Sequence, residues 1–230
     1  MERLVLFDID GTLLRTQNGY VPFNQALLKT FGFAGDIRSV IPDGNTDPLI
    51  VGEIFAKAQV DIKITIDQWE QFAANLQQSY ATAVQEGAVS VRALPGALEL
   101  LKALSANEGF DRAVVTGNFK ASARVKLQAA GLSSYLDQGA YGCDSPQRAD
   151  LPAIAKHRCE QATARSVRPE RCIIIGDTPK DLHAARKNAM KCVLVGTGRY
   201  PVEELLYSKP DACLPDLCDT AGVVKTLSTL

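Results

Sequence analysis

Two carboxylates stand two residues apart in the segment Asp8-Ile9-Asp10-Gly11-Thr12-Leu13, directly after a short apolar run. On an extended segment, side chains with this spacing can point to the same side. If the apolar run is a parallel strand, the pair lies at its carboxyl end, where open α/β sheets bind their ligands. Gly11 permits a turn that a side chain could forbid. An isolated pair of this kind is usually a solvated acidic turn, so the remaining segments must decide between the two interpretations.

A second pair of carboxylates follows another apolar run, in Ile173-Ile174-Ile175-Gly176-Asp177-Thr178-Pro179-Lys180-Asp181. Helix capping alone explains Asp181, as an acid in the first turn behind an N-cap at Thr178. It leaves Asp177 without a reason. Asp177 and the first pair of carboxylates together form a set of hard oxygen ligands suited to Mg²⁺. A divalent cation site is therefore the chemistry that these spacings favour.

A third polar segment, Thr116-Gly117-Asn118, ends the apolar run Val114-Val115. A strand-to-helix turn of this kind offers a hydroxyl group and backbone N–H donors to a phosphoryl group. A plain helix N-cap at Thr116 or Asn118 explains the same residues. The segment on its own leaves both interpretations open.

Apolar runs and helical periodicities alternate along most of the chain, and they predict the elements that must hold these segments in place. Strands are predicted at 3–7, 112–116, 138–142, 171–176, 191–195 and 211–214, and helices at 95–105, 119–130, 149–162 and 179–189. Strands that alternate with helices of this length favour a parallel sheet with helices on both faces. The predicted fold class is α/β, with a doubly wound, Rossmann-like parallel sheet as its core.

Residues 16–90 interrupt this alternation with a helical pattern, which predicts an inserted α-helical domain. Asp47-Pro48 indicates an N-cap followed by proline at the first helical position, and Asp67 to Glu70 indicates a capping box. The predicted division is therefore a catalytic core formed by 1–15 and 91–230, and a helical domain at 16–90.

Composition excludes several classes of function. The 230 residues carry 25 basic and 26 acidic side chains, a formal charge of −1. This balance gives no electrostatic footprint for nucleic acid or for an anionic membrane, so neither is expected as a partner. The apolar runs are too short to span a bilayer. Six cysteines without a C-x-x-C pair, and a start that does not look like a signal peptide, predict free thiols and a cytoplasmic location.

The segment at 8–13 resembles the signature of the haloacid dehalogenase superfamily, a group of aspartyl phosphotransferases. Thr116-Gly117-Asn118 and 173–181 are similar to the second and fourth segments of that family. The third usually supplies a lysine before a Pro-x-Pro stretch, and here the sequence departs from the pattern. Arg148 occupies the best-matching position, and Lys156 is the alternative. Arginine keeps the charge and offers phosphate a bidentate fork, but it is not equivalent to lysine.

The resemblance implies a role for each residue. Asp8 would attack a phosphoryl group, and Asp10 would protonate the leaving oxygen and then activate water. Mg²⁺ would be bound by Asp8, Asp177 and the backbone carbonyl of Asp10, with Asp181 orienting the ligands. The residues implied to hold the phosphoryl oxygens are Thr116, Gly117, Asn118 and Arg148.

The insertion is similar to the helical cap of the subfamily that includes phosphoglycolate phosphatase and β-phosphoglucomutase. The implied activity is a Mg²⁺-dependent phosphatase acting on a small phosphorylated metabolite. A phosphomutase is the nearest alternative, and a phospho-accepting signalling module is a more distant one. The sequence names neither the phosphate ester nor the oligomeric state.

Overall fold

The computed structural model describes residues 2–230 and contains the predicted alternation of strands and helices. The strands are β1 (Arg3–Phe7), β2 (Leu14–Gln17), β3 (Ser90–Ala93), β4 (Phe110–Val115), β5 (Gly139–Ala140), β6 (Cys172–Gly176), β7 (Lys191–Val195) and β8 (Ala212–Leu214). The helices are α1 (Tyr20–Phe31), α2 (Asp47–Lys57), α3 (Ile66–Gln85), α4 (Ala97–Ser105), α5 (Lys120–Ala129), α6 (Leu151–Thr163), α7 (Pro179–Lys187), α8 (Val202–Tyr207) and α9 (Thr220–Thr229).

Six of the strands form one parallel sheet in the order β5-β4-β1-β6-β7-β8. β1 lies in the middle, paired with β4 on one side and β6 on the other. The chain order therefore reverses at β1, and this switch point is where such sheets open a crevice for ligands. The predicted α/β class with a doubly wound sheet is confirmed.

Both faces of the sheet are buried, which explains why its strands are apolar without alternation. In β1, Val5 and Phe7 pack into one apolar cluster, whereas Leu4 and Leu6 pack into the cluster on the opposite face. All four side chains are fully buried. The six cysteines are free thiols within the described residues, as the sequence predicted.

Helices α1, α2 and α3 form an apolar cluster of their own, built largely from aromatic rings. Phe23 and Phe72 meet edge to face with their centroids 5.6 Å apart, and the cluster also takes in Phe119 just before α5. Strands β2 and β3, which precede and follow these helices in the sequence, pair with one another in an antiparallel ribbon. Neither strand was predicted. The division of the chain into a core and a domain at 16–90 remains a prediction, since its boundaries fall within this ribbon.

Two helix starts differ from the sequence predictions by one or two residues. Thr46, not Asp47, caps α2, because its hydroxyl accepts the backbone N–H of Leu49 at 3.4 Å. Thr65, not Asp67, caps α3 and forms a capping box with Gln68. In both cases two nearby side chains are of a type that can cap a helix. The cap is the one whose side-chain oxygen accepts the backbone N–H of the third helical residue.

The central strands should dominate stability. Ile174 lies in β6 and is fully buried, so Ile174→Ala is expected to lower the free energy of unfolding by about 2–5 kcal/mol through lost burial and a residual cavity. Ile66 is 77% exposed, and Ile66→Ala is the matched control, with an expected change within about 0.5 kcal/mol. Urea unfolding of the two variants measures both values. Equal losses would contradict the assignment of the core.

Candidate active site

The carboxyl ends of three neighbouring strands converge on one cavity. Asp8 follows β1, Thr116 follows β4 and Asp177 follows β6, and all three residues are buried. The cavity has a volume of about 600 Å³, and the insertion closes its far side. Parallel strands bring these sequence-distant residues together because their ends share one edge of the sheet.

Three carboxylates form a compact group at the base of this cavity. Oxygen atoms of Asp8, Asp177 and Asp181 all lie within 4.8 Å of one another. Asp181 is held in place by the start of α7, where its Oδ2 accepts the Thr178 hydroxyl at 2.8 Å and the Thr178 backbone N–H at 3.1 Å. The predicted N-cap at Thr178 and the predicted first-turn position of Asp181 are therefore both present.

Burial and neighbouring charges raise the pKa of two of these carboxylates, Asp8 and Asp177. Burial raises the pKa of Asp8 to about 6, against the opposing charge of Arg148. Burial and the charges of Asp8 and Asp181 raise the pKa of Asp177 to about 9. A cluster of hard oxygen ligands with too little positive charge around it is the donor set that fits Mg²⁺. The residues present thus fit the cation that the sequence predicted.

Arg148 reaches the carboxylate group, and Lys156 does not. The Arg148 guanidinium donates a short hydrogen bond to Asp181 Oδ1 and lies 3.2 Å from Asp8 Oδ2. Lys156 instead pairs with Glu160, one helical turn further along α6, at 2.9 Å. The geometry therefore favours Arg148 as the basic residue of the third segment.

Asp10 lies apart from the carboxylate group and is surrounded by donors. Its Oδ1 accepts the Thr16 hydroxyl at 3.2 Å, and its Oδ2 accepts both Asn118 Nδ2 and Lys126 Nζ at 2.8 Å. Burial opposes ionisation of Asp10, but Lys126 and these hydrogen bonds outweigh it and lower its pKa. The two carboxylates of the first segment therefore sit in different electrostatic surroundings, which is typical of a pair with different chemical roles.

Lys126 is a site residue that the sequence analysis missed. It lies on the inner face of α5, almost completely buried, and its Nζ also donates to Asn118 Oδ1 at 2.7 Å. Asn118 in turn donates its side-chain amide to the Thr116 hydroxyl at 2.8 Å. The available signal was a lysine one turn beyond Ser122, on the face of the helix that faces inward.

A loop of the insertion, residues 43–47, packs directly over the second segment. The backbone N–H of Asp47 donates to the Gly117 carbonyl at 2.8 Å, and Lys180 Nζ donates to Asn45 Oδ1 at 2.5 Å. A Cβ atom at Gly117 would overlap the carbonyl of Asn45. Gly117 is therefore placed where its lack of a side chain lets the two backbones touch.

A loop after β7 completes the wall of the cavity. The Thr197 hydroxyl donates to the Gly11 carbonyl at 2.6 Å, and a Cβ at Gly198 would collide with the Asp177 carboxylate. This loop, Gly196-Thr197-Gly198, therefore contacts both the first and the fourth segment.

Asp47 makes the stability of the protein depend on pH. Burial raises the pKa of its carboxyl to about 6, so the folded state holds a proton that the unfolded state releases at lower pH. The stability tied to this proton is present at low pH and is lost as the pH rises to about 6. Asp47→Asn cannot titrate and keeps an acceptor for the Phe119 backbone N–H, which now bonds Asp47 Oδ2 at 2.7 Å. We expect the free energy of unfolding of Asp47→Asn, relative to that of the wild type, to rise by about 1–3 kcal/mol between pH 4 and pH 7. Urea unfolding at both pH values measures this difference. A constant difference would contradict the shift.

Comparison with known proteins agrees with this geometry. A family model described as haloacid dehalogenase-like hydrolase matches residues 2–188. A probable phosphatase, IndB, from Dickeya dadantii is 29% identical, and the alignment covers 100% of this chain and 96% of that protein. A phosphoglycolate phosphatase from Nitrosospira multiformis is 27% identical over 98% of this chain and 97% of its own length.

Among solved structures, a predicted phosphoglycolate phosphatase from Haemophilus somnus has the same fold, with a TM-score of 0.66 and 23% identity, covering 96% of this chain and 97% of that one. No helix in residues 2–230 is long and apolar enough to cross a membrane. The predicted enzyme class, a phosphoric monoester hydrolase, is confirmed by the phosphatase relatives. The chain belongs to the haloacid dehalogenase-like hydrolases.

Proposed function

We propose that the protein is a Mg²⁺-dependent phosphatase that hydrolyses a small phosphorylated metabolite through an aspartyl-phosphate on Asp8. The observation that carries this proposal is the position of Asp8, a buried carboxylate at the base of the cavity, between Arg148 and two further carboxylates. If this cavity had no chemical role, neutral side chains would be enough to line it. Buried charges arranged around one nucleophilic oxygen are typical of a reaction that moves charge.

In the first step, a carboxylate oxygen of Asp8 attacks phosphorus and the bond to the ester oxygen breaks. The electron pair goes to that oxygen, which takes a proton from the protonated form of Asp10 and leaves as an alcohol. The lowered pKa of Asp10 makes this form the minor one in the resting protein. In the second step, water attacks the aspartyl-phosphate and gives its proton to Asp10. The phosphorus–oxygen bond to Asp8 breaks, and inorganic phosphate and the free carboxylate result.

Asp8 and Asp177 would hold the cation, together with the backbone carbonyl of Asp10. The bound Mg²⁺ supplies positive charge against the oxygens of the phosphoryl group. Asp181 keeps the Arg148 guanidinium in place through its hydrogen bond. Its own hydrogen bond from the Thr178 hydroxyl supports the proposal that it orients the ligands without binding the cation itself.

Thr116 and Arg148 would bind the phosphoryl oxygens, with Gly117 giving access to the backbone. Asn118 was predicted in the same role, but its amide already donates to Asp10 Oδ2 and to the Thr116 hydroxyl, so it acts as a support for these two residues. Thr116 and Arg148 are both buried and line the cavity. Arginine can offer two parallel donors to phosphate, which fixes the orientation of the group as well as its charge.

Residues 16–90 would act as a cap over the site. The loop at 43–47 contacts the second segment and α7, so it covers the phosphate-binding end. A cavity of about 600 Å³ has room for a small phosphorylated metabolite. Closure of this kind excludes water, which would otherwise compete for the reactive groups.

Replacing the nucleophile tests the proposal directly. Asp8→Asn keeps the size of the side chain and is expected to abolish Mg²⁺-dependent release of 4-nitrophenol from 4-nitrophenyl phosphate, because an amide does not form the acyl-phosphate. Asp137 is exposed, and Asp137→Asn is the matched control, with wild-type turnover expected. Turnover by Asp8→Asn at the wild-type rate would end the nucleophile assignment. A phosphate-release screen across metabolite esters then identifies the substrate, and phosphate migration in place of release would identify a mutase.

Arg148 and Lys156 are distinguished by a pair of alanine variants. Arg148→Ala should lower kcat/KM by about 100-fold or more, because a charged donor to the phosphoryl group is removed. Lys156→Ala should remain close to the wild type. Since Arg148 also balances two buried carboxylates, Arg148→Lys and thermal unfolding of each variant separate lost chemistry from lost folding. A greater loss in Lys156→Ala would move the third segment to Lys156.

A further inference from the structure

Lys126 is a buried ammonium group whose charge the proposed reaction does not use. We propose that Lys126 is a positioning residue that holds Oδ2 of the Asp10 carboxyl group, in the orientation needed for proton exchange with the leaving oxygen. The inference rests on the proposed function, because it concerns the partner of the group that protonates the ester. Within residues 2–230, the one ion pair of Lys126 is with Asp10, at 2.8 Å.

The two partners of this ion pair are buried to different extents. The side chain of Lys126 is 6% exposed, whereas that of Asp10 is 39% exposed and borders the cavity. The ammonium group therefore supports the carboxylate from the protein side and leaves the cavity side open to a substrate.

The hydrogen bonds divide the two oxygens of Asp10 between different tasks. Oδ2 accepts from both Lys126 and Asn118 at 2.8 Å. Within the part of the chain that the structure describes, Oδ1 accepts the Thr16 hydroxyl alone, at 3.2 Å. Since two strong donors occupy Oδ2, we assign proton exchange with the substrate to Oδ1.

Asn118 closes the arrangement into a triangle. Lys126 donates to the Asn118 carbonyl oxygen at 2.7 Å, and the amide of Asn118 donates to Asp10. The lysine therefore fixes which way the amide of Asn118 faces, because only an acceptor can face the ammonium group. Loss of Lys126 would release both Asp10 and Asn118.

The insertion supplies the remaining wall around the ammonium group. The ring of Tyr80, on α3, lies with its centroid 5.1 Å from Lys126 Nζ, and its hydroxyl donates to the Gly19 carbonyl at 3.0 Å. A cation facing an aromatic ring is attracted to it, so Tyr80 steadies the lysine. This contact joins the position of Asp10 to the presence of α3 over the site.

Packing alone does not account for a lysine at this position. Removing an ammonium group from water carries a desolvation cost of several kcal/mol, and a methionine of similar length would fill the same space without it. The ion pair with Asp10 and the bond to Asn118 offset that cost, and both direct the ammonium group toward the reacting region. The positive charge of Lys126 is therefore best explained by its contacts with Asp10 and Asn118.

The test compares two esters of similar shape that differ in their need for a proton. Phenyl phosphate has the more basic leaving group, so it depends more on Asp10 than 4-nitrophenyl phosphate does. With Mg²⁺ present, Lys126→Met should lower kcat/KM by about 100-fold or more on phenyl phosphate and by about tenfold or less on 4-nitrophenyl phosphate. Lys126→Arg, which keeps the charge, should recover part of the loss on phenyl phosphate. Lys120 is exposed on the same helix, and Lys120→Met is the control with wild-type values on both esters.

A second arm joins the two residues. In an Asp10→Asn background, adding Lys126→Met should cost less than about threefold, because residues that act as a unit are not additive. Equal losses on the two esters, or losses that multiply in the double variant, would overturn the positioning role and leave the proposed function standing. A wild-type protein that releases phosphate from neither ester would overturn the proposed function and this inference together.

Discussion

Repulsion between buried carboxylates is the constraint around which the molecule is built. Asp8, Asp177 and Asp181 are forced together at the sheet edge by the strand order, and the positive charge beside them comes from Arg148. Burial, together with the charges of Asp8 and Asp181 that one guanidinium group does not balance, raises the pKa of Asp177 to about 9. Such an arrangement is stable only because the surrounding sheet is buried on both faces and supplies the free energy that the site does not. A cation would relieve the same repulsion, which makes metal affinity and fold stability parts of one balance.

The strands that hold these charges could be predicted because their residues are uniformly apolar. β1 and β6 are unbroken apolar runs, and each is followed at once by an acid, so the positions of Asp8 and Asp177 at strand ends follow from sequence alone. The start of α7 could also be predicted, because Thr178, Pro179 and Asp181 are each residues preferred at their positions in the first turn of a helix. The family resemblance added the roles of these residues. It also named Arg148 as the best match for the usual lysine, with Lys156 as the alternative, and the structure places Arg148 beside Asp8.

The remaining parts of the site depend on contacts between distant segments, which no local pattern encodes. In the sequence, Lys126 has the features of an ordinary charge on an amphipathic helix. In the structure it is buried, and α3 packs against its helix, α5. Gly198 could not be assigned to the site, because its contact with Asp177 joins two loops from different strands. Strands β2 and β3 were missed because they are short and mixed in polarity and become strands only by pairing with one another. Thr65 and Asp67 both carry capping side chains, and the choice between them depended on Gln68.

The pairing of β2 with β3 also determines how the insertion is attached. Both crossings between the sheet and the three helices run through this ribbon, and their backbones are hydrogen-bonded from Leu14–Ala93 to Gln17–Ser90. Two separate tethers could twist independently, whereas a paired ribbon bends as one unit. Thr16, which donates to Asp10, lies on that ribbon. Any bend of this ribbon therefore also moves Thr16 relative to Asp10, so the attachment of the three helices and the hydrogen bonding of Asp10 are mechanically coupled.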